Sequence, residues 1–148
     1  MANHVRQQLR EALGTLLTGL TTTGNRVYQS RVRRLSPAEL PALRIYTDGD
    51  DAETISMGRP AAQDRIVEIR VEAVAKASDN LDNTLDTICK EVETVIGNNP
   101  TLSGKARDCL YTGAKIDLQE NGDSQVGVAT LSFTADAQTM NNAPDTLI

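Results

Sequence analysis

Large aromatic side chains are almost absent from this chain of 148 residues, which contains no tryptophan, one phenylalanine and three tyrosines. Leucine, isoleucine, valine and alanine must therefore fill its core. A single histidine, His4, and two cysteines, Cys89 and Cys109, leave too few ligands for a zinc site and too few thiols for a disulfide framework. We expect both thiols to be reduced and buried.

Long apolar runs are also missing. No segment approaches the roughly twenty apolar residues that cross a bilayer, and the first ten residues are polar where a signal peptide would be apolar. The composition therefore predicts a cytosolic product without membrane contact. At this length one domain with a single core is expected, because such a chain buries about two thirds of its unfolded surface.

Positive charge is scarce and unevenly distributed. The formal net charge is −5 and the pI is about 4.8, whereas a general nucleic-acid binder needs a cationic surface to displace counterions from phosphate. Residues 1–44 nevertheless carry a balance of +5, which leaves −10 for the other 104 residues. Opposite charge on two parts of one domain suits association between copies. An uneven but merely solvated surface is the alternative.

Two segments have the periodicity of amphipathic helices, with apolar residues at three- and four-residue steps. The first runs from about Asn3 to Leu20, and the second begins at "SDNLD" and ends at Gly97. Serine or aspartate can cap the start of the second helix, and glycine can adopt the left-handed conformation that closes it.

Five segments have the alternation or composition of strands. They are "NRVYQSRVRR", the end of "LSPAELPALRIYT", "DRIVEIRVEAVAKA", the segment that follows Ala106, and "QVGVATLSFTADAQ". In the fourth, simple alternation places one set of residues on one face: Leu110, Thr112, Ala114, Ile116 and Leu118. In the fifth the alternation changes phase, which predicts either a bulge near residues 127–130 or burial on both faces.

The connection between the fourth and fifth strands contains Asn121 and Gly122, which predict a tight hairpin. The element order predicts an α+β fold, with an antiparallel or mixed sheet of about four to five strands and two amphipathic helices on one face. Residues 1–139 would form this domain, and residues 140–148, which show no pattern, would form a mobile tail.

One stretch, "TDGDDAETISMGRP" at residues 47–60, has the density of carboxylates that a cation site would need. It does not fit a calcium-binding EF-hand loop, because the fifth and twelfth positions counted from Asp48 are Ala52 and Arg59. A looser magnesium site at Asp48, Asp50 and Asp51, in a small divalent-metal-dependent enzyme, remains an alternative. With no motif for nucleophilic catalysis or nucleotide binding, we expect no catalytic residue, no metal and no cofactor.

The same stretch joins two predicted strands by about fifteen residues, where a hairpin normally uses about two to five. Such a polar connection is expected to be disordered alone and to become ordered against a basic surface of another copy. An insert without a partner is the alternative. The interface residues predicted in this way are Arg26, Arg31, Arg33, Arg34, Asp48, Asp50, Asp51, Glu53, Ile55 and Met57.

The order of elements resembles the tail terminator proteins of long-tailed bacteriophages, the family that includes minor tail protein U. The segments that carry the resemblance are "LPALRIYTDGDDAE", "RIVEIRVEAVAKA", "NLDNTLDTICKEVETVI" and "ENGDSQVGVATLSFTA", and it extends from the first helix to about Thr139.

The resemblance implies a structural virion protein without enzymatic activity. Such a protein would form a hexameric ring on the tail tube, stop tube polymerisation, and present its other face to the head connector or head-completion protein. DNA would pass through the lumen without sequence-specific binding, and the protein would reside in the virion tail after assembly in the host cytoplasm. Another neck or tail component, such as a head-completion protein or a tube subunit, is the alternative.

Overall fold

The computed structural model of the protein describes residues 2–29, 37–76, 80–121 and 124–148. The elements in chain order are α1 (Val5–Leu17), β1 (Val27–Tyr28), a short 3-10 helix (Pro37–Glu39), β2 (Ala42–Thr54), β3 (Ala62–Lys76), α2 (Leu81–Asn98), β4 (Asp108–Asn121), β5 (Ser124–Met140) and β6 (Ala143–Leu147).

All the strands belong to one sheet with the order β1-β2-β3-β5-β4. The short β1 is parallel to β2, and the other pairs are antiparallel. Strand β6 pairs with β5 at Thr139 and Met140, beyond the point where β4 begins. The mixed sheet and the two helices confirm the predicted α+β class.

The core lies between the two helices and one face of the sheet. In β3 the residues at odd positions from Val67 to Ala75 are buried, and the leucines of α1 and the aliphatic residues of α2 pack against the same cluster. Because side chains alternate across a strand, the even-numbered residues of β3 lie on the opposite face, which we call the open face. Both helical stripes predicted from periodicity are confirmed.

The change of phase in β5 is explained by burial on both faces. Its register with β3 is continuous, and both Val128 and its neighbour Ala129 are buried. A Cβ at Gly127 would lie 2.8 Å from a methyl group of Leu81, so α2 approaches the sheet closely here. The bulge alternative is wrong for β5. A register shift occurs instead in β4, between Tyr111 and Gly113.

The predicted hairpin between β4 and β5 is confirmed, since Asn121 pairs with Ser124. The two residues that this pair encloses, 122 and 123, lie outside the described residues.

The prediction of a long disordered connection at residues 47–60 is wrong. Strand β2 continues through the acidic residues to Thr54, and its partners in β3 extend to Gln63, so only residues 55–61 connect the two strands. A register shift between Thr47 and Gly49 allows the strand to continue. Backbone pairing with β3 outweighs the low strand propensity of aspartate and glycine. The segment is therefore ordered within one chain and does not need contact with another copy to become ordered.

The C-terminal residues also form more structure than their sequence pattern suggests. Residues 143–147 form β6, and the side-chain amide of Gln8 in α1 donates to the carbonyl of Asp145 at 2.8 Å. The expectation of a segment without regular structure is wrong, because the pairing with β5 is supplied by a distant part of the chain. The division into a domain and a mobile tail stays a prediction.

Candidate assembly interface

The hairpin of β2 and β3 contains most of the predicted interface residues, and they fall into two groups. Strand alternation and the register shift near Asp48 place Asp50 on the helix side, opposite Val67, and Asp51 on the open face, opposite Ile66. Adjacent carboxylates that lie on opposite faces of a sheet do not converge on one ion. Among the described residues, no group of three or more histidine, cysteine, aspartate or glutamate side chains could hold a metal.

Asp50 is bound within its own chain. Its two carboxylate oxygens accept from Arg6 of α1 at 3.2 Å and from Arg65 of β3 at 2.6 Å, and Arg65 also donates to the hydroxyl of Thr139 at 3.0 Å. Burial alone would raise the pKa of Asp50, but the hydrogen bond from Arg65 and the two cationic charges hold it below its ordinary value. This network fixes the base of the hairpin to the first helix.

Asp48 is likewise bound within the chain, on the other side of the sheet. Both of its oxygens contact the guanidinium of Arg70, at 2.6 and 3.0 Å, and that guanidinium lies 4.7 Å from the centre of the Tyr46 ring. Burial and a hydrogen bond with Glu72 raise the pKa of Tyr46 to about 12. Glu72 also forms an ion pair with Arg44 at 3.2 Å. A bidentate arginine pair of this kind defines geometry as well as contributing energy.

The remaining hairpin residues of the predicted set are exposed. Asp51 and Glu53 lie on the open face near the end of β2, and every residue from 51 to 60 is exposed. In the connection itself, which we call the hairpin tip (residues 55–61), Ile55 is 48% exposed and Met57 is 100% exposed. Of the predicted hairpin residues, these four are therefore the ones available to a partner.

The predicted basic partners are described only in part. Arg26 donates to the carbonyl of Pro41 at 2.7 Å and to that of Thr22 at 3.1 Å, so it anchors the chain before β2. Arg31, Arg33 and Arg34 lie outside the described residues, and their role stays a prediction.

Strand β4 contains an apolar surface that simple alternation misassigned. The register shift between Tyr111 and Gly113 places Leu110 on the open face, opposite Thr134. Ile116 and Leu118 pair with Ala129 and Gly127 and so lie on the helix side. Thus the five residues predicted on one face divide between two faces. The signal that could have revealed the shift is Gly113, with a φ of 154°.

On the helix side, β4 lies at the edge of the sheet and exposes three large apolar residues, Tyr111, Ile116 and Leu118, which we call the β4 strip. Ile116 is 53% exposed and Leu118 is 59% exposed. Edge strands of native proteins are usually short or covered, because an exposed apolar edge is a template for association. The β4 strip is therefore a second candidate contact surface, far from the hairpin tip.

Two carboxyl groups lie close together on the open face. Asp64 and Asp136 occupy diagonal positions on β3 and β5, and a hydrogen bond with Asp64, together with burial, raises the pKa of Asp136 to about 6. Arg107 lies 4.0 Å from Asp136 and lowers the pKa, but its effect is the smaller one. Asp136 therefore holds a proton in the folded state at mildly acidic pH.

Replacing Asp136 with asparagine should make the protein more stable at pH 8 than the native chain. A carboxyl whose pKa rises from 3.8 to about 6 on folding stabilises the fold below 3.8, and this contribution is lost as the pH increases through about 6. The amide can donate to Asp64 at every pH. Urea unfolding between pH 4 and pH 8 should show a flatter profile for Asp136→Asn, whereas Asp117→Asn, an exposed change on β4, should keep the native profile.

No protein-family model matches the chain, and a search of curated proteins finds no match. Among solved structures the chain is similar to a chain of the virion of a native gene transfer agent particle, with 17% identity, a TM-score of 0.44 and 92% of each chain covered. None of the helices among the described residues is both long and apolar enough to cross a bilayer.

Proposed function

We propose that this protein is a structural virion component that associates with copies of itself into a ring. The observation that supports this most directly is the presence of two exposed apolar surfaces, the hairpin tip and the β4 strip, on one sheet. Two different surfaces that contact each other between copies form a heterologous interface, and such an interface generates a closed ring when the rotation per copy closes.

The role proposed within the virion is that of a tail terminator, as the order of elements suggests. A hexameric ring would cap the tail tube, stop its polymerisation, and present its other face to the head connector or a head-completion protein. The net charge of −5 is consistent with a lumen through which DNA passes without adhering, because like charges repel. In this role the protein has no catalytic residue and needs no cofactor.

Microscopy of the purified protein distinguishes this role from that of a tube subunit. At high protein concentration, negative staining should show closed rings of uniform diameter, and sedimentation should give one discrete oligomer. Long cylinders would indicate a tube subunit instead. A strict monomer that also fails to bind tail tube ends would contradict the proposed function.

Replacing Arg31, Arg33 and Arg34 together with glutamate should abolish ring formation and leave the circular dichroism spectrum unchanged. The expected reason is repulsion from the acidic residues of a neighbouring copy. Since Asp48 and Asp50 are bound within their own chain, Asp51 and Glu53 are the residues of the hairpin that could pair with these arginines. Sedimentation velocity measures the result.

A matched control is available for this variant. Replacing Lys76, Lys90 and Lys105 with glutamate changes the net charge by the same amount at positions outside the predicted interface. Rings that persist in the arginine variant would contradict the hypothesis that these arginines pair with acidic residues of a neighbouring copy. Loss of rings in both variants would show that net charge, rather than these arginines, controls association.

A further inference from the structure

The hairpin tip combines apolar side chains with one positive charge. Met57 is fully exposed and Ile55 is half exposed, although contact of an apolar side chain with water is unfavourable in free energy. Arg59 is also exposed. Within the part of the chain that the structure describes, its side chain forms one hydrogen bond, which it donates to the adjacent carbonyl of Gly58 at 2.9 Å. A surface that accepts this tip should therefore be apolar and should offer a carboxylate.

The β4 strip has that composition. Its apolar residues lie beside α2, and the ring of Tyr111 packs edge-on against Phe133 with centroids 5.5 Å apart. Two acidic residues of α2, Asp86 and Glu93, lie about one turn on either side of Cys89 and so on its face of the helix. Burial, together with the charges of Glu93 and Asp86, raises the pKa of the Cys89 thiol to about 11. Burial, and after it the charge of Glu93, raises the pKa of Tyr111. The strip is thus apolar with an acidic border.

The tip and the strip of one chain cannot meet. Leu118 pairs with Gly127, which pairs with Ala75, whereas the tip directly precedes the opposite end of β3, at Ala62. At about 3.3 Å per residue, these thirteen positions separate the tip from Leu118 by about 43 Å along the strands. The network of Asp50 with Arg6 and Arg65 also holds the base of the hairpin in place. Only a second copy can bring the two surfaces together.

We propose that the hairpin tip of one copy docks against the β4 strip of a second copy, with Met57 and Ile55 covering Ile116 and Leu118 and with Arg59 facing Glu93. This inference rests on the proposed function, because it specifies the contact by which the copies associate. The contact is heterologous, so each copy uses its tip toward one neighbour and its strip toward the other. In this contact the acidic border attracts the positive charge of Arg59.

Disulfide trapping tests the contact directly. The test uses two variants that each gain one cysteine, Met57→Cys and Ile116→Cys, in a Cys89→Ala background that removes the more exposed of the two native thiols and leaves only the buried Cys109. Under mild oxidation, mixing the two variants should give a cross-linked dimer, because a disulfide requires Cβ atoms about 4 Å apart. Lys76→Cys replaces Ile116→Cys as the control and should give no specific product.

A charge exchange supplies an independent test. Arg59→Glu should weaken association by about tenfold or more, because it places two carboxylates against each other, and Glu93→Arg should do the same. Combining both substitutions in one chain should restore association. Lys76→Glu, an exposed reversal at the far end of β3, should have little effect.

The outcomes separate the contact from the function on which it rests. Oligomers that form normally without the Met57–Ile116 cross-link, and that resist Arg59→Glu, would overturn the proposed contact and leave the proposed function standing. If the arginine variant of residues 31, 33 and 34 then loses its rings, that basic segment contacts the acidic end of β2, at Asp51 and Glu53, instead. If the native chain forms no oligomer under any condition, alone or on tube ends, both proposals fail.

Discussion

Replacing Phe133 with alanine should lower the free energy of unfolding by about 3–5 kcal/mol. This residue is the only phenylalanine of the chain and is 2% exposed. It lies on β5, opposite Ile69 of β3 and Tyr111 of β4, so it connects the three strands at the centre of the sheet. Truncation removes the buried surface of the ring and leaves a cavity. Because β5 is hydrogen-bonded to β3 and to β4 along most of its length, the backbone cannot move to fill that cavity.

Urea unfolding followed by far-UV circular dichroism measures this loss, at a protein concentration where the chain is monomeric. Ile116→Ala is the matched control, because it removes an apolar side chain from the adjacent strand at a position that is more than half exposed. We expect the control to cost less than about 1 kcal/mol. Equal losses in the two variants would contradict the position of the core between the helices and β5.

Replacing Asp50 with alanine should lower the free energy of unfolding by about 2–3 kcal/mol, the cost of leaving a largely buried charge without its partner. The unpaired charge is that of Arg65, whose side chain is 11% exposed and lies 2.6 Å from Asp50. Arg6 would lose the same partner, and the contact between α1 and the hairpin would weaken. Thermal and urea unfolding at pH 7 measure the effect.

The adjacent residue supplies the control. Asp51→Ala removes an exposed carboxylate from the open face and should change stability by no more than about 0.5 kcal/mol. The pH dependence has a defined sign: the pKa of Asp50 is lowered in the folded state, so its contribution is present above its ordinary value of 3.8 and is lost as the pH falls through the lowered pKa. The difference between the native chain and Asp50→Ala should therefore decrease in acid. A difference independent of pH would contradict the ion pair.

Much of the fold could be predicted because its signals are local. The apolar stripes of both helices, the alternation of β3 and the hairpin after β4 each depend on residues that are near one another in sequence, and the structure contains all of them. The candidate site was less predictable. Considered without the rest of the chain, the acidic residues at the end of β2 predict a disordered loop. They form a strand because β3 supplies their backbone hydrogen-bond partners.

Two further features depended on contacts that local pattern does not encode. The tail forms β6 because β5 extends past the start of β4 and leaves its edge free to pair. The apolar residues of β4 divide between two faces because the register shift at Tyr111 and Gly113 reverses the alternation. A shift of this kind is a property of two paired strands, so neither strand reveals it alone.

The sequence by itself determined the fold class, the helical stripes and the acidic balance of the chain, because periodicity and composition are properties of neighbouring residues. The tertiary structure alone decided which carboxylates are bound and which are available, since Asp48 and Asp50 find their arginines on other elements whereas Asp51 and Glu53 are exposed. It also decided that β4 is an edge strand. Strand order and register are set by competition for backbone partners across the whole chain, and only the folded molecule resolves that competition.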